Sequence, residues 1–237
     1  MLIIIQKRNL ILLASVLIVA VLAAGLLVRP TPARQTGGQM IGKCIVIDAG
    51  HGEPDGGATG ISGASEQALN LDIALLLQEL LEQGGMQVVM TRTDASGIFD
   101  QSAHTIREKK RSDLSNRESI MNGDGVDLFV SIHMNTFEQS KYSGPQVFFS
   151  PNRTESETIA SCVQQAMNAG LAPEAPRNVK KAGDSIYLLK KAKVPAILIE
   201  CGFLSNAREE KLLQEPGYQK KVAQAVYDGI TRYFAGL

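Results

Sequence analysis

The chain has 237 residues, 44% hydrophobic and 20% charged, with 24 Lys and Arg against 24 Asp and Glu. That composition belongs to an ordinary globular protein and excludes a disordered or fibrous one. The neutral balance argues against nucleic acid as a partner, since non-specific binding needs a basic excess. Three cysteines exclude a disulfide scaffold and a Cys-rich zinc cluster.

The charge is unevenly placed. Residues 1–40 hold Lys7, Arg8, Arg29 and Arg34 and no acid, so the rest carries 20 basic and 24 acidic residues. Leu10 to Val28 is a run of 19 uncharged residues. As a helix rising ~1.5 Å per residue it is long enough to cross a bilayer's hydrocarbon. Lys7 and Arg8 before it favour a cytoplasmic N-terminus. Residues 1–28 are therefore expected to be a membrane anchor, an uncleaved N-terminal transmembrane helix. A cleaved signal peptide, with Val21-Leu22-Ala23 near the cut, is the alternative. Both readings export the rest of the chain. Residues 29–41, rich in Pro, Gly and polar side chains, read as a linker. Residues 42–237 suit one domain.

Within that domain, Cys44–Ile47 is an apolar, β-branched run leading through Asp48 and Ala49 into Gly50-His51-Gly52, which reads as a buried strand and a Gly-rich loop. From Glu66 to Gln83 apolar residues recur at 69, 73, 76, 77, 80 and 81, and Gly84-Gly85 follow, the pattern of an amphipathic helix with a glycine stop. Met86–Thr91 is a second strand. Asp94 to about Ser115 reads as a polar stretch carrying Arg107, Lys109, Lys110 and Arg111, followed by a short helix at 115–123. Asp127–Ile132 is a third strand ending at His133, and Gln146–Phe149 a fourth. Thr154-x-x-Glu157 reads as a capping box opening a helix that stops near Gly170. Ile186–Leu189 and Ala196–Ile199 read as strands, the latter ending at Glu200. Ser205 or Asn206 caps a short helix, and Pro216 opens a last one with its stripe at 222, 226, 230 and 233. Alternating strands and helices predict an α/β fold with a mostly parallel sheet covered on both faces. Ligands then bind at the carboxyl ends of the strands.

Two of the three histidines, His51 and His133, fall at predicted strand ends, and Glu200 at a third. Glu66 opens the helix after the Gly-rich loop. Two imidazoles and a carboxylate are a common catalytic zinc set that leaves a position for water, and a second carboxylate can take that water's proton. The plainer readings are hydrogen-bonded structural histidines and a Glu66 that merely favours its helix dipole. Glu200 carries more weight: an acid after Pro195-Ala196-Ile197-Leu198-Ile199 is costly in a buried strand unless paired, protonated or metal-bound. His104 reads as a solvated loop residue. The Gly-rich loop lacks the Lys-Ser/Thr pair and the spacing of phosphate-binding motifs. Cys201, next to Glu200, is conceivable as a nucleophile, but alternation in a strand turns it away from Glu200, which reads as packing.

Taken in order, Ile47-Asp48-Ala49-Gly50-His51-Gly52, Asp55-Gly56-Gly57-Ala58, Glu66, Thr91-Arg92-Thr93-Asp94, Asn116-Arg117, Ser131-Ile132-His133-Met134-Asn135 and Ile199-Glu200-Cys201-Gly202-Phe203-Leu204-Ser205-Asn206 resemble the zinc-dependent N-acetylmuramoyl-L-alanine amidases of the amidase-3 type. Glu53 departs from the pattern, where the family usually has glycine. The resemblance implies a twisted sheet of about six strands flanked by helices and cleavage of the amide between the muramic acid lactyl group and L-alanine of peptidoglycan. It assigns His51, Glu66 and His133 as ligands of Zn2+ and Glu200 as the catalytic glutamate. The N-terminal anchor, the basic stretch before Arg117 and the ending from Tyr218 to Phe234 are closest to the sporulation-associated members. Those act in spore cortex maturation, outside the cytoplasm on the cell-wall side or in the forespore intermembrane space. An activating protein partner is a further implication. A zinc carboxypeptidase on stem peptides and a non-catalytic wall-binding module are the alternatives. Arg92 and Asn135 are left between substrate positioning and support, and the 95–114 stretch between groove wall, partner contact and solvated surface.

Overall fold

In the computed structural model, which describes residues 40–237, six strands form one sheet. They are β1 (Cys44–Ala49), β2 (Gln87–Met90), β3 (Leu128–Asn135), β4 (Gln146–Phe149), β5 (Lys180–Lys181) and β6 (Ala196–Phe203). Their order is β2-β1-β3-β6-β4-β5, parallel throughout except where β4 runs antiparallel to β6. The expected α/β class and mostly parallel six-stranded sheet are therefore what the described residues form.

Alternation along the strands divides the core in two. Ile45, Ile47, Val130, Ile132, Ile197 and Ile199 join one apolar cluster, while Val46, Phe129 and Leu198 join the other. The first cluster is closed by α1 (Glu66–Gln83), α3 (Thr154–Leu171) and α6 (Pro216–Phe234). Leu69, Ile73, Leu77 and Leu81 of α1 recur every four residues and are all buried, as are Val222, Val226 and Ile230 of α6. Gly229 is where α6 meets α3: an added Cβ would lie 2.4 Å from Val163 Cα. Asn206 caps α5 (Ala207–Leu213), its side chain accepting from the Arg208 and Glu209 amides. The second cluster lies under α2 (Ile106–Met121) and α4 (Tyr187–Lys191).

Four expectations are corrected. The polar stretch before residue 115 is mostly helix: α2 runs from Ile106 and is opened by a full capping box between Thr105 and Glu108. Only Arg117 and Met121 of α2 are fully buried, so the helix has no apolar periodicity to show. Ile186–Leu189 is not a strand; residues from Tyr187 form the single turn and a half of α4, while the two-residue β5 is too short to leave a pattern. Thr154 is the first helical residue of α3, with Arg153 at the cap and no side-chain cap bond. Finally, β3 and β6 run past the expected ends, so His133 and Glu200 lie inside the strands near their carboxyl ends. The expected anchor at 1–28 and nearly all of the 29–41 linker lie outside the described residues. Among those described, no helix is long and apolar enough to cross a membrane.

Candidate metal centre

Strand alternation puts Asp48 of β1, Ser131 and His133 of β3 and Glu200 of β6 on the α2 side of the sheet. His133 and Glu200 are in-register neighbours across β3 and β6. Two further groups reach this rim from loop and helix. His51 follows β1 in a left-handed conformation, φ 62°, which costs a non-glycine residue of order 1–3 kcal/mol and persists only where surroundings enforce it. Glu66 is the first residue of α1.

Glu66 is the centre of the group. His51 Nε2 lies 3.2 Å and His133 Nδ1 3.0 Å from Glu66 Oε1. The two imidazoles meet edge to face with centroids 4.9 Å apart. One ligand atom from each of His51, Glu66 and His133 falls within 4.8 Å of the other two. The donor set suits zinc: two neutral nitrogens, one carboxylate and an open side. Two of the three donors are held from behind. His51 Nδ1 lies 3.2 Å from Asp55 Oδ2, the carboxylate–imidazole pairing that fixes a ligand's tautomer. Glu66 Oε2 accepts the Ala58 amide at 2.7 Å, and Oε1 the Met134 amide at 3.2 Å. Space is kept by glycines. A Cβ on Gly50 would lie 2.3 Å from His133 Nε2, and one on Gly57 2.5 Å from Glu66 Oε2.

The electrostatics separate the two glutamates. Burial alone would raise the Glu66 carboxyl, but hydrogen bonds from His133 and His51 outweigh it and hold it well below the usual range. Burial likewise disfavours charged His51, yet Glu66 and Asp55 raise it on balance. Glu200 has no such partner. Burial pushes it up to about 7, opposed by His133 and His51 and assisted by the negative Glu66. Its Oε2 is buried without a hydrogen bond among the described residues. A carboxyl that exchanges its proton near neutrality suits a general base and acid. Cys201, on the opposite face, is fully buried, and burial drives its thiol far above the usual range, so it offers no thiolate.

Of the support beneath the site, only a role for Arg92 is among the sequence expectations. Arg117, 2% exposed, donates from Nη1 to Asp48 Oδ1 at 2.5 Å and to the Ala49 carbonyl at 2.9 Å, from Nη2 to the His51 carbonyl at 2.5 Å, and from Nε to Asp113 at 2.6 Å. Arg92 donates to the carbonyls of Ala49, Gly50 and Gln67. Asn70 adds a bond to Gly50 O at 3.1 Å. Two buried guanidinium groups thus grip the carbonyls of residues 49–51 and hold His51 in its strained backbone. Arg92 is a supporting residue, the second of its two open roles. The signal for Asp48 is an acid following Ile45-Val46-Ile47, the same signal that singles out Glu200. Asn135 closes β3, its carbonyl accepting the Leu204 amide at 2.8 Å. His104 is exposed, as expected.

Residues 45–232 match the model of the Amidase_3 family, described as N-acetylmuramoyl-L-alanine amidase. The germination-specific N-acetylmuramoyl-L-alanine amidase of Bacillus subtilis is 37% identical over 193 residues, covering 81% of this chain and 80% of that protein. The CwlD amidase from Clostridioides difficile, solved in complex with the GerS lipoprotein, superposes with a TM-score of 0.79 at 42% identity, over 82% of this chain and all of that one. The catalytic domain of CwlV from Bacillus (Paenibacillus) polymyxa superposes at 0.69 and 32%, over 81% of this chain and 97% of that one. With a family model matched over most of its length, the chain belongs to the Amidase_3 family of N-acetylmuramoyl-L-alanine amidases.

Proposed function

We propose that the chain hydrolyses the amide between the lactyl group of muramic acid and L-alanine in peptidoglycan, with His51, Glu66 and His133 as zinc ligands and Glu200 as the proton carrier. The observation that supports this best is the convergence of three donors within 4.8 Å beside the Glu200 carboxyl, whose pKa burial pushes up to about 7 and whose Oε2 has no hydrogen bond among the described residues. Zinc held by such a set supplies Lewis-acid polarisation of the scissile carbonyl and a more acidic water.

The chain's own residues do the rest. Asp55 keeps His51 Nε2 turned toward the ligand position. Glu200, ionised, takes a proton from the attacking water and returns it, as the protonated acid, to the leaving alanine nitrogen. Arg92 and Arg117 keep the 49–51 carbonyls out of the way and the loop rigid. Digestion of peptidoglycan by the full chain with added zinc, followed by mass spectrometry, tests the reading. Muramic acid freed of peptide supports it; trimmed peptides still attached to muramic acid indicate a carboxypeptidase, and no cleavage a binding module.

On the same proposal, residues 1–28 anchor the chain in the membrane, 29–41 are a linker and 42–237 are the zinc amidase domain, acting outside the cytoplasm. The germination-specific relative and the CwlD likeness support a role in spore cortex peptidoglycan. The neighbour's complex with a lipoprotein supports a protein partner here.

A further inference from the structure

Resting on the amidase reading and deepening it, we infer that the exposed basic face of α2 is a subsite for the carboxylates of the substrate's peptide. Arg107, Lys110, Arg111 and Leu114 stand at spacings of three and four residues and so share one helical face. With Tyr187 of α4 they line a groove of about 470 Å3. Lys110 and Leu114 also line a smaller cavity of about 90 Å3 whose walls include His51, His133, Asp55 and Arg117. The two spaces therefore share a wall of Lys110 and Leu114, and the basic groove adjoins the candidate metal centre across it.

The charge is local. The residues after the N-terminal segment carry more acid than base, yet Arg107 and Arg111 are exposed and form no ion pair among the described residues. The acids near this face are engaged: Glu108 caps its own helix, Glu118 accepts the Tyr187 hydroxyl at 2.6 Å, and Asp55 binds Lys110 at 3.0 Å and His51. The exposed guanidinium groups of Arg107 and Arg111 suit an anionic ligand. The departing peptide of peptidoglycan supplies one: the glutamyl residue after alanine is linked through its side chain, so its α-carboxylate stays free. Lying one residue beyond the scissile amide, that carboxylate is the anion of the peptide nearest the reacting bond, and the adjoining groove is the basic surface next to the metal centre.

The test is binding to the full chain of a synthetic L-alanyl-γ-D-glutamyl peptide and of its α-amide, by titration calorimetry. The expected result is about tenfold tighter binding of the acid, the scale of one modest charge contact multiplied over several cations. Arg107→Gln with Arg111→Gln should erase the preference, and Arg107→Glu with Arg111→Glu should reverse it; both sites are exposed, so folding is spared. Equal binding of acid and amide, a preference that survives the Gln pair, or no binding of the acid overturns the subsite. Cleavage of a muramoyl-peptide, followed in parallel, keeps the two ideas apart. Cleavage without acid preference removes the subsite alone, and acid preference without cleavage removes the amidase reading alone.

Discussion

His133 and Glu200 stand side by side on adjacent parallel strands, in register and on the same face of the sheet, yet Glu200 Oε2 forms no hydrogen bond among the described residues. The imidazole turns its Nδ1 to Glu66 instead, at 3.0 Å. One glutamate is thereby committed to the two histidines, while the other is left with its proton labile. This division suits the two carboxylates to the different parts proposed for them.

Replacing Glu200 by Gln should therefore separate stability from activity. In the metal-free chain burial lifts Glu200 from 4.5 to about 7. The folded state then binds the proton more tightly than the unfolded one, so stability falls as pH rises between these values. The cost of the ionised form is absent below the ordinary Glu range and complete above the raised value, on the order of 3 kcal/mol. Glu200→Gln should raise the metal-free melting temperature in alkaline buffer and change it little in acid. Turnover should fall by about 10²–10⁴ with bound zinc unchanged. Scanning calorimetry, metal analysis and a peptidoglycan digest read these together; full turnover in Glu200→Gln removes the residue from proton transfer.

Zinc should stabilise the fold through His51, Glu66 and His133. A ligand at a hundredfold its Kd adds about 2.7 kcal/mol to the native state. Thermal melts with and without zinc should show that gain in the wild type and none in His51→Ala or Glu66→Gln, which should also lack activity. A chelator should return the wild type to the lower melting temperature. A zinc-induced shift that persists in both variants would place the metal elsewhere.

Arg117 and Asp48 predict an acid-sensitive core. Burial alone would raise the Asp48 carboxyl, but Arg117 and Ser131 hold it below the usual range. A depressed folded value contributes stability that is present above the unfolded value of ~3.9 and is lost as pH falls through the folded one. Arg117→Ala strips Asp48 of its ionic partner while leaving it buried, which costs about 3–5 kcal/mol. Arg117→Lys keeps the charge but loses the fork that spans Asp48, Asp113 and two carbonyls. Urea melts should rank wild type above Arg117→Lys above Arg117→Ala. Identical midpoints would mean the 49–51 loop holds without this grip.

Much of the fold and of the candidate metal group is legible in the sequence because the signals are strong and local. The helix at Glu66–Gln83 has a four-residue apolar repeat and a glycine stop, and it forms with those bounds. Glu200 announces itself as an acid in an apolar strand. Helix α2 is only partly legible because it buries almost no apolar side chain; Thr105-x-x-Glu108 is its one local sign. The roles of Arg92 and Arg117 are hidden for another reason. Both act on backbone carbonyls far away in sequence, and a carbonyl leaves no trace in residue type. Ile186–Leu189 misleads because a short apolar run has the same composition in a strand or in the turn of helix that Tyr187–Lys191 forms.

Gly50 and Gly56 differ in what surrounds them, although neither has a positive φ. A Cβ on Gly50 would meet His133 Nε2 at 2.3 Å and Cε1 at 2.4 Å, whereas one on Gly56 meets nothing within 4 Å. Gly50→Ala forces the His133 ring to move, and that motion takes Nδ1 from its place 3.0 Å from Glu66. The packing cost should be about 1–3 kcal/mol. The larger consequence is for the metal: disturbed support of a ligand typically lowers affinity about 10–100-fold. Gly56→Ala, next to Asp55 in the chain but in neither clash nor strain, should bind zinc as the wild type does. Competition with a zinc-sensitive dye measures both. Wild-type affinity in Gly50→Ala would show that His133 is not held where a ligand must stand.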